Sequence, residues 1–237
     1  MLLSRMSSGA PEIFATVQGE GLTSGLPSVF IRTAECNLKC TWCDTRYTWD
    51  WATHDRGAHT TELAPGDIAA RAAAIAGPAV RNAVVTGGEP LLQQDELTSL
   101  LGSLRAAGFT IEIETNGTVQ PAAAVAALVG QWNVSPKLAS SGNPLRARHR
   151  PAALEWFAGR PAATFKFVVV GPEDLSEVTE VVTALGVPPR RVVLMPEGVD
   201  TTALLERSRW LADECRARGY RLGTRLHVLL WGSERGR

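Results

Sequence analysis

AECNLKCTWCDTRYTWDW, residues 34–51, places three of the chain's four cysteines within eight positions, with Cys36, Cys40 and Cys43 in the spacing C-x3-C-x2-C. Three thiols this close reach one small inorganic centre only if the backbone curls around it. Two chemistries suit the pattern. A closed zinc site wants a fourth ligand, and the nearest candidates, His54 and His59, lie well beyond the usual spacing. An iron–sulfur cube usually takes four cysteines, so three would leave one iron open to a ligand from outside. The remaining Cys215, in WLADECRARG, reads as a partly buried helix residue.

Outward from this loop the chain alternates. The run before it, SVFIRT (28–33), reads as a strand. Further strand-like runs follow at 82–90, 109–117, 132–137, 164–171, 190–198 and 224–232. Between them, Ala- and Leu-rich stretches at 65–77, 94–108, 121–130, 151–159, 173–186 and 200–219 carry helical spacing. Strand–helix alternation predicts an α/β fold with a parallel sheet and crossover helices. About six βα units in 237 residues suit an open, partial β/α barrel better than a closed eight-unit barrel, which takes about 250 residues. One domain, 1–237, is expected, with an N-terminal extension over 1–27 and the barrel core over 28–232. Chemistry would then sit on the loops after the strands: CNLKC, TGGEP, ETNG, SPK and MPEG. The irregular stretch 137–150 reads as a flap.

Composition narrows the partners. Lys+Arg and Asp+Glu both number 24, so bulk charge gives no attraction to nucleic acid or to an anionic membrane. No run approaches the roughly 18 apolar residues of a membrane span. The start, MLLSRMSSGAPEIF, lacks the apolar region of a secretory signal. A cytoplasmic setting is expected, in which thiols stay reduced and clustered cysteines bind metal or do redox chemistry.

Strand periodicity picks out further polar groups. In FTIEIET, Glu112 and Glu114 share the face opposite Ile111 and Ile113, and in TFKFVVV Lys166 faces away from Phe165 and Phe167. Charged residues in buried strands line a site or pair with one another. Glu114 is expected in a ligand pocket, whereas Glu112 and Lys166 also fit a plain salt bridge.

The cysteine spacing at the end of the first strand, Trp42 just ahead of the last cysteine, and GGEP (87–90) at the end of the second strand together resemble the radical S-adenosylmethionine (SAM) superfamily. That resemblance implies a [4Fe-4S] cluster on Cys36, Cys40 and Cys43, with SAM chelating the fourth iron. TVQGEG (16–21), Arg32, Asp44-Thr45 and the lack of a second cysteine cluster resemble the 7-carboxy-7-deazaguanine synthases within it, from about Phe14 to the last strand-like run. Those enzymes contract 6-carboxy-5,6,7,8-tetrahydropterin to 7-carboxy-7-deazaguanine with loss of ammonia, through a 5′-deoxyadenosyl radical and with Mg2+. Glycyl-radical activases of the same superfamily often carry extra cysteine clusters, which this chain lacks.

The resemblance also implies site residues. Val17, Gln18, Gly19, Arg32 and Thr86 fall at substrate positions, and Glu20 offers a carboxylate to a guanidine-like ring edge. Arg32 has the planar fork that suits a carboxylate. Trp42, Cys43, Asp44, Gly88, Ser135, Pro136 and Lys137 fall at SAM positions, joined by Glu89 of GGEP and by Glu114. Thr45 falls at the Mg2+ position. His227 resembles a late histidine that reaches substrate in some relatives, although a histidine in an apolar strand is more often packed. Trp49 and Trp51 are placed to cover the site. A homodimer, a flavodoxin or ferredoxin as electron donor, and no nucleic-acid or membrane partner are further expectations. Two positions depart from the family pattern: Glu35, where many relatives have Gly, and Arg46.

Overall fold

The computed structural model describes residues 1–237. Ten strands make one sheet: β1 (Leu2–Ser4), β2 (Ile13–Val17), β3 (Pro27–Thr33), β4 (Thr60–Glu62), β5 (Asn82–Gly87), β6 (Thr110–Thr115), β7 (Gln131–Val134), β8 (Ala163–Val169), β9 (Val192–Pro196) and β10 (Arg221–Leu222). From β3 through β5 to β10 every pair is parallel, and neighbours in space follow the order of the chain. Each crossover therefore steps one place in the same direction, which curls the sheet. β10 and β4 stay at opposite edges, so the barrel is open.

Register explains what each face carries. Ile31, Val85, Ile113 and Trp132 lie side by side across β3, β5, β6 and β7. With Phe165, Phe167 and Leu194 they form the outer face, packed on the crossover helices in a single apolar core. The Pro65–Ala76 helix buries Ile68, Ala69, Ala72 and Ala76, and the Gln94–Ala106 helix buries Leu97, Leu100, Leu101 and Leu104, each a stripe at helical spacing. The inner face is polar: Arg32, Thr86, Glu114 and Asn133 share one level across the same strands. Glu112 and Lys166 also point inward, as their alternation predicts.

The chain departs from the sequence expectations in four places. The stretch 1–27 contributes β1 and β2, which pair antiparallel with β3 and belong to the sheet. The helix expected over 121–130 shrinks to Ala123–Ala126. The run 224–232 is no strand. β10 ends at Leu222, and Leu226–Trp231 forms a helix. A continuous apolar run fits either state, and here Leu-rich composition wins over the single Val. The stretch 137–150 is tied down: Ser141, Asn143 and Arg148 are buried, and Arg148 pairs with Glu177 and donates to the carbonyl oxygens of Lys137 (3.0 Å) and Asn143 (3.2 Å). No helix is long and apolar enough to cross a membrane.

Candidate active site

The cysteine loop leaves β3 through Glu35, the one non-glycine residue with positive φ (72°). Backbone bonds hold it there. Its N–H donates to the Thr48 carbonyl (2.7 Å), and its carbonyl accepts the Glu89 N–H (2.8 Å). The side chain is fixed by Arg56 (3.0 Å) and Trp51 (3.2 Å). The left-handed region costs a side-chain-bearing residue about 1–2 kcal/mol, which explains why glycine suits this turn. Glu35→Ala keeps that cost and loses both side-chain bonds. Glu35→Gly removes the strain, so denaturant unfolding should find it about 1 kcal/mol more stable than Glu35→Ala.

GGEP packs directly behind the turn. A Cβ on Gly88 would lie 2.0 Å from the Glu35 carbonyl oxygen and 3.0 Å from the Cys36 nitrogen, so only glycine lets the two loops meet. Glu89 points the other way. It is fully buried, accepts from Thr115 Oγ1 (2.9 Å) and from the N–H groups of Leu91 (3.1 Å) and Asn116 (2.7 Å), and stays outside the cavity. The sequence expects it at SAM; its side chain makes no wall of the cavity, burial raises its pKa, and it serves as a hydrogen-bond hub between the ends of β5 and β6.

Cys36, Cys40 and Cys43 are free thiols and line one cavity at the mouth of the barrel. His54 and His59 are absent from its wall, with His54 edge-on to His59 and its Nδ1 facing Thr53 and Asp50. No three Cys, His, Asp or Glu side chains draw together tightly enough to hold a single metal ion. Burial pushes Cys36 up to about 12 and raises Cys40, so thiolates form there only with a cationic partner in place of the proton. Trp42, between the ligands, has a buried indole Nε1 with no partner in the protein, a donor left free for a bound group.

Below the loop, the inner face of the barrel carries two charge networks. In the first, Arg32 Nε donates to Glu12 Oε1 (2.7 Å), while its Nη groups bond to nothing in the protein. Glu12 is fully buried and also takes Tyr47 Oη (3.1 Å) and Arg235 (2.6 Å). Burial opposes its ionisation, but the two arginines outweigh that and hold its pKa below the usual value. In the second, Glu20 pairs with Lys166 and with Arg225 (3.1 Å), and Arg225 also grips Asp44. These cations hold both carboxylates below the usual range, Glu20 against its burial and Asp44 at the more exposed edge of the network. Lys166 thus makes a salt bridge and lines the cavity as well.

Gln18 gives its amide to Glu112 (2.8 Å) and Glu114 (3.2 Å), so its side chain braces the barrel interior instead of reaching for a ring edge. Glu112 accepts only from neutral groups, Thr23, Asn82, Asn133 and Gln18, and burial, then Glu114, raises its pKa. His227 stands on the final helix, not a strand. A Cβ on Gly19 would lie 2.1 Å from its Nδ1, so the second glycine-bearing motif, QGEG, is shaped to seat this ring. Burial lowers the pKa of His227 and keeps it neutral.

The structure brings nearly all the predicted residues to this cavity. Val17, Gln18, Gly19, Glu20, Arg32, Thr86 and His227 line it, as do Trp42, Asp44, Thr45, Gly88, Glu114, Ser135 and Lys137 beside the cysteines. Glu89 and Pro136 do not: Pro136 sits between Ser135 and Lys137, whose side chains meet at 2.9 Å. Arg225 and Asn133 line the cavity with no sequence signal to mark them, and Asn116 lines it from the ETNG strand end. Glu197 and Gly198 also line it, and the MPEG strand end was their signal.

Known proteins match this geometry. The radical SAM superfamily model covers residues 30–157. The 7-carboxy-7-deazaguanine synthase of Pyrobaculum aerophilum is 40% identical over 95% of this chain and 96% of the relative. This chain belongs to the 7-carboxy-7-deazaguanine synthase family. Synthases from Hyperthermus butylicus (35% identical, covering 92% of this chain and 91% of the relative) and Bacillus subtilis (31%, 98% and 100%) extend the match. The crystal structure of QueE from Escherichia coli superposes with a TM-score of 0.67 at 28% identity, over 91% of this chain and 92% of that one. SuiB from Streptococcus suis, solved bound to S-adenosylmethionine, shares the fold alone: TM-score 0.54, 15% identity, 84% of this chain and 48% of that one. As a family member the chain is a radical SAM enzyme, a class that works with a [4Fe-4S] cluster and SAM.

Proposed function

We propose that this enzyme converts 6-carboxy-5,6,7,8-tetrahydropterin to 7-carboxy-7-deazaguanine with loss of ammonia. The observation that carries this reading is one cavity lined both by the three thiols and by Arg32, whose Nη donors are unbonded. Cys36, Cys40 and Cys43 would hold the cluster, which would supply the electron for cleavage of SAM. The chain's own groups select the substrate. Glu12 fixes Arg32 through Nε, which leaves the Nη pair to take the pterin carboxylate. Thr86 Oγ1 donates to Glu114 (2.7 Å), and this pair offers polar atoms to the ring edge beside neutral His227. Thr45, 3.6 Å from Cys43 through Oγ1, would supply a hard oxygen to Mg2+, an ion that accepts few protein ligands. A cytoplasmic homodimer reduced by flavodoxin or ferredoxin completes the proposal; it rests on the family resemblance and on the four free thiols.

The test is anaerobic incubation of the reduced, cluster-loaded protein with SAM, Mg2+ and the carboxytetrahydropterin. The deazaguanine product should appear, and Thr45→Ala should need roughly tenfold more Mg2+ for half-maximal rate, a loss of about 1.4 kcal/mol at the metal. Release of 5′-deoxyadenosine without the product would reject the substrate. An unchanged Mg2+ titration would reject Thr45.

A further inference from the structure

We propose that Trp49 and Asn143 set the reduction potential of the cluster held by Cys36, Cys40 and Cys43, a step beyond the family assignment on which it rests. The indole Nε1 of Trp49 lies 3.3 Å from Cys43 Sγ, and the amide Nδ2 of Asn143 lies 3.3 Å from Cys40 Sγ. Both donors are built in. Asn143 is buried, and its Oδ1 accepts the Lys39 N–H at 2.8 Å, which fixes the amide with its nitrogen toward sulfur. It reaches the loop from the 137–150 stretch, and Arg148 anchors that stretch through the Asn143 carbonyl. Trp49 closes the short turn after Thr45, its own N–H bonded to the Arg46 carbonyl (3.0 Å). Cys36 receives no comparable side-chain donor: the Leu38 N–H lies 3.5 Å away and the Asn116 amide 4.0 Å.

Reduction adds one negative charge to a thiolate-ligated cluster, and part of that charge sits on the sulfurs. An N–H aimed at a ligand sulfur stabilises the reduced form more than the oxidised one and raises the potential. In a partly buried site the effect is larger than in water. Two N–H donors at 3.3 Å on two of three sulfurs, closer than the Thr45 hydroxyl at 3.6 Å from Cys43, thus ease electron entry, and their removal makes the cluster harder to reduce.

Trp49→Phe keeps the ring and deletes the N–H. Asn143→Asp keeps an acceptor for Lys39 and replaces the donor with oxygen. Each variant, reconstituted anaerobically, is titrated potentiometrically with the reduced-cluster EPR signal as readout, at iron content equal to the parent. Each midpoint should become more negative, by on the order of a tenfold change in the reduced-to-oxidised ratio, about 59 mV for one electron, and the double variant should fall further. An unmoved midpoint in Trp49→Phe overturns the proposal. So does iron loss in Trp49→Phe, because deleting one N–H leaves every ligand in place. If Asn143→Asp alone fails to assemble, Trp49→Phe decides. A parent protein that takes up no iron would instead overturn the cluster reading itself.

Discussion

Cys40→Ala is expected to abolish turnover while leaving the chain folded. Cys40 is 6% exposed and sits in a loop, so trading its thiol for a methyl group removes little packing. The Asn143 amide loses its sulfur but keeps Ser141 Oγ at 3.2 Å, so the cost of an orphaned donor stays near the low end of about 1–3 kcal/mol. The cluster has no such fallback. Two thiols remain, Cys215 is buried in the Thr201–Arg218 helix, and His54 and His59 lie off the cavity. Iron and sulfide analysis should drop from about four of each per chain to a small fraction, with an unchanged circular dichroism spectrum and no 5′-deoxyadenosine. A full cluster in this variant would show that the third ligand has been misassigned.

Gly88→Ala is the second large effect, and it acts through shape alone. The new methyl would stand 2.0 Å from the Glu35 carbonyl oxygen. That oxygen cannot yield, because Glu89 N–H holds it at 2.8 Å and Thr48 holds the same residue from its other side. Either the cysteine loop or the GGEP loop must move, at about 3 kcal/mol or more by analogy with overpacked cores. Denaturant unfolding should report that loss, and iron uptake should fall with it. Gly102→Ala is the internal control. It lies in the Gln94–Ala106 helix with nothing within 4 Å of a new Cβ, so it should stabilise by about 1 kcal/mol. Equal behaviour of the two variants would refute the steric reading.

What could be read from sequence was whatever a short window holds. The cysteine spacing, the glycines of GGEP, and the alternation that turns Glu112, Glu114 and Lys166 inward are all local. Arg225 was invisible for the opposite reason. Its partners, Glu20 and Asp44, lie 205 and 181 residues away, and no nearby pattern marks it. The same distance hid the role of Gly19, which is glycine because His227 lies against it. The run 224–232 fits strand and helix alike because a short apolar stretch has no period of its own, and the helix propensity of its leucines decides it. Glu35 looked like an anomaly in sequence. Its φ of 72° turns that anomaly into a backbone requirement. Glu89 shows the converse limit: a residue in a motif can brace the site without facing it, whereas Gln18 lines the cavity while its amide braces Glu112 and Glu114.

The junction of Arg225 and Leu226 with Gly19 and Glu20 joins the two ends of the chain's order in sequence, with the Leu226 N–H on the Gly19 carbonyl at 2.8 Å. Most of the sheet forms by adding the next strand to the last, so its loops close over short spans. This junction closes over some two hundred residues, and the entropy of such a closure grows with span. The wall carrying His227 is therefore complete only when residues near the two ends of the chain have met.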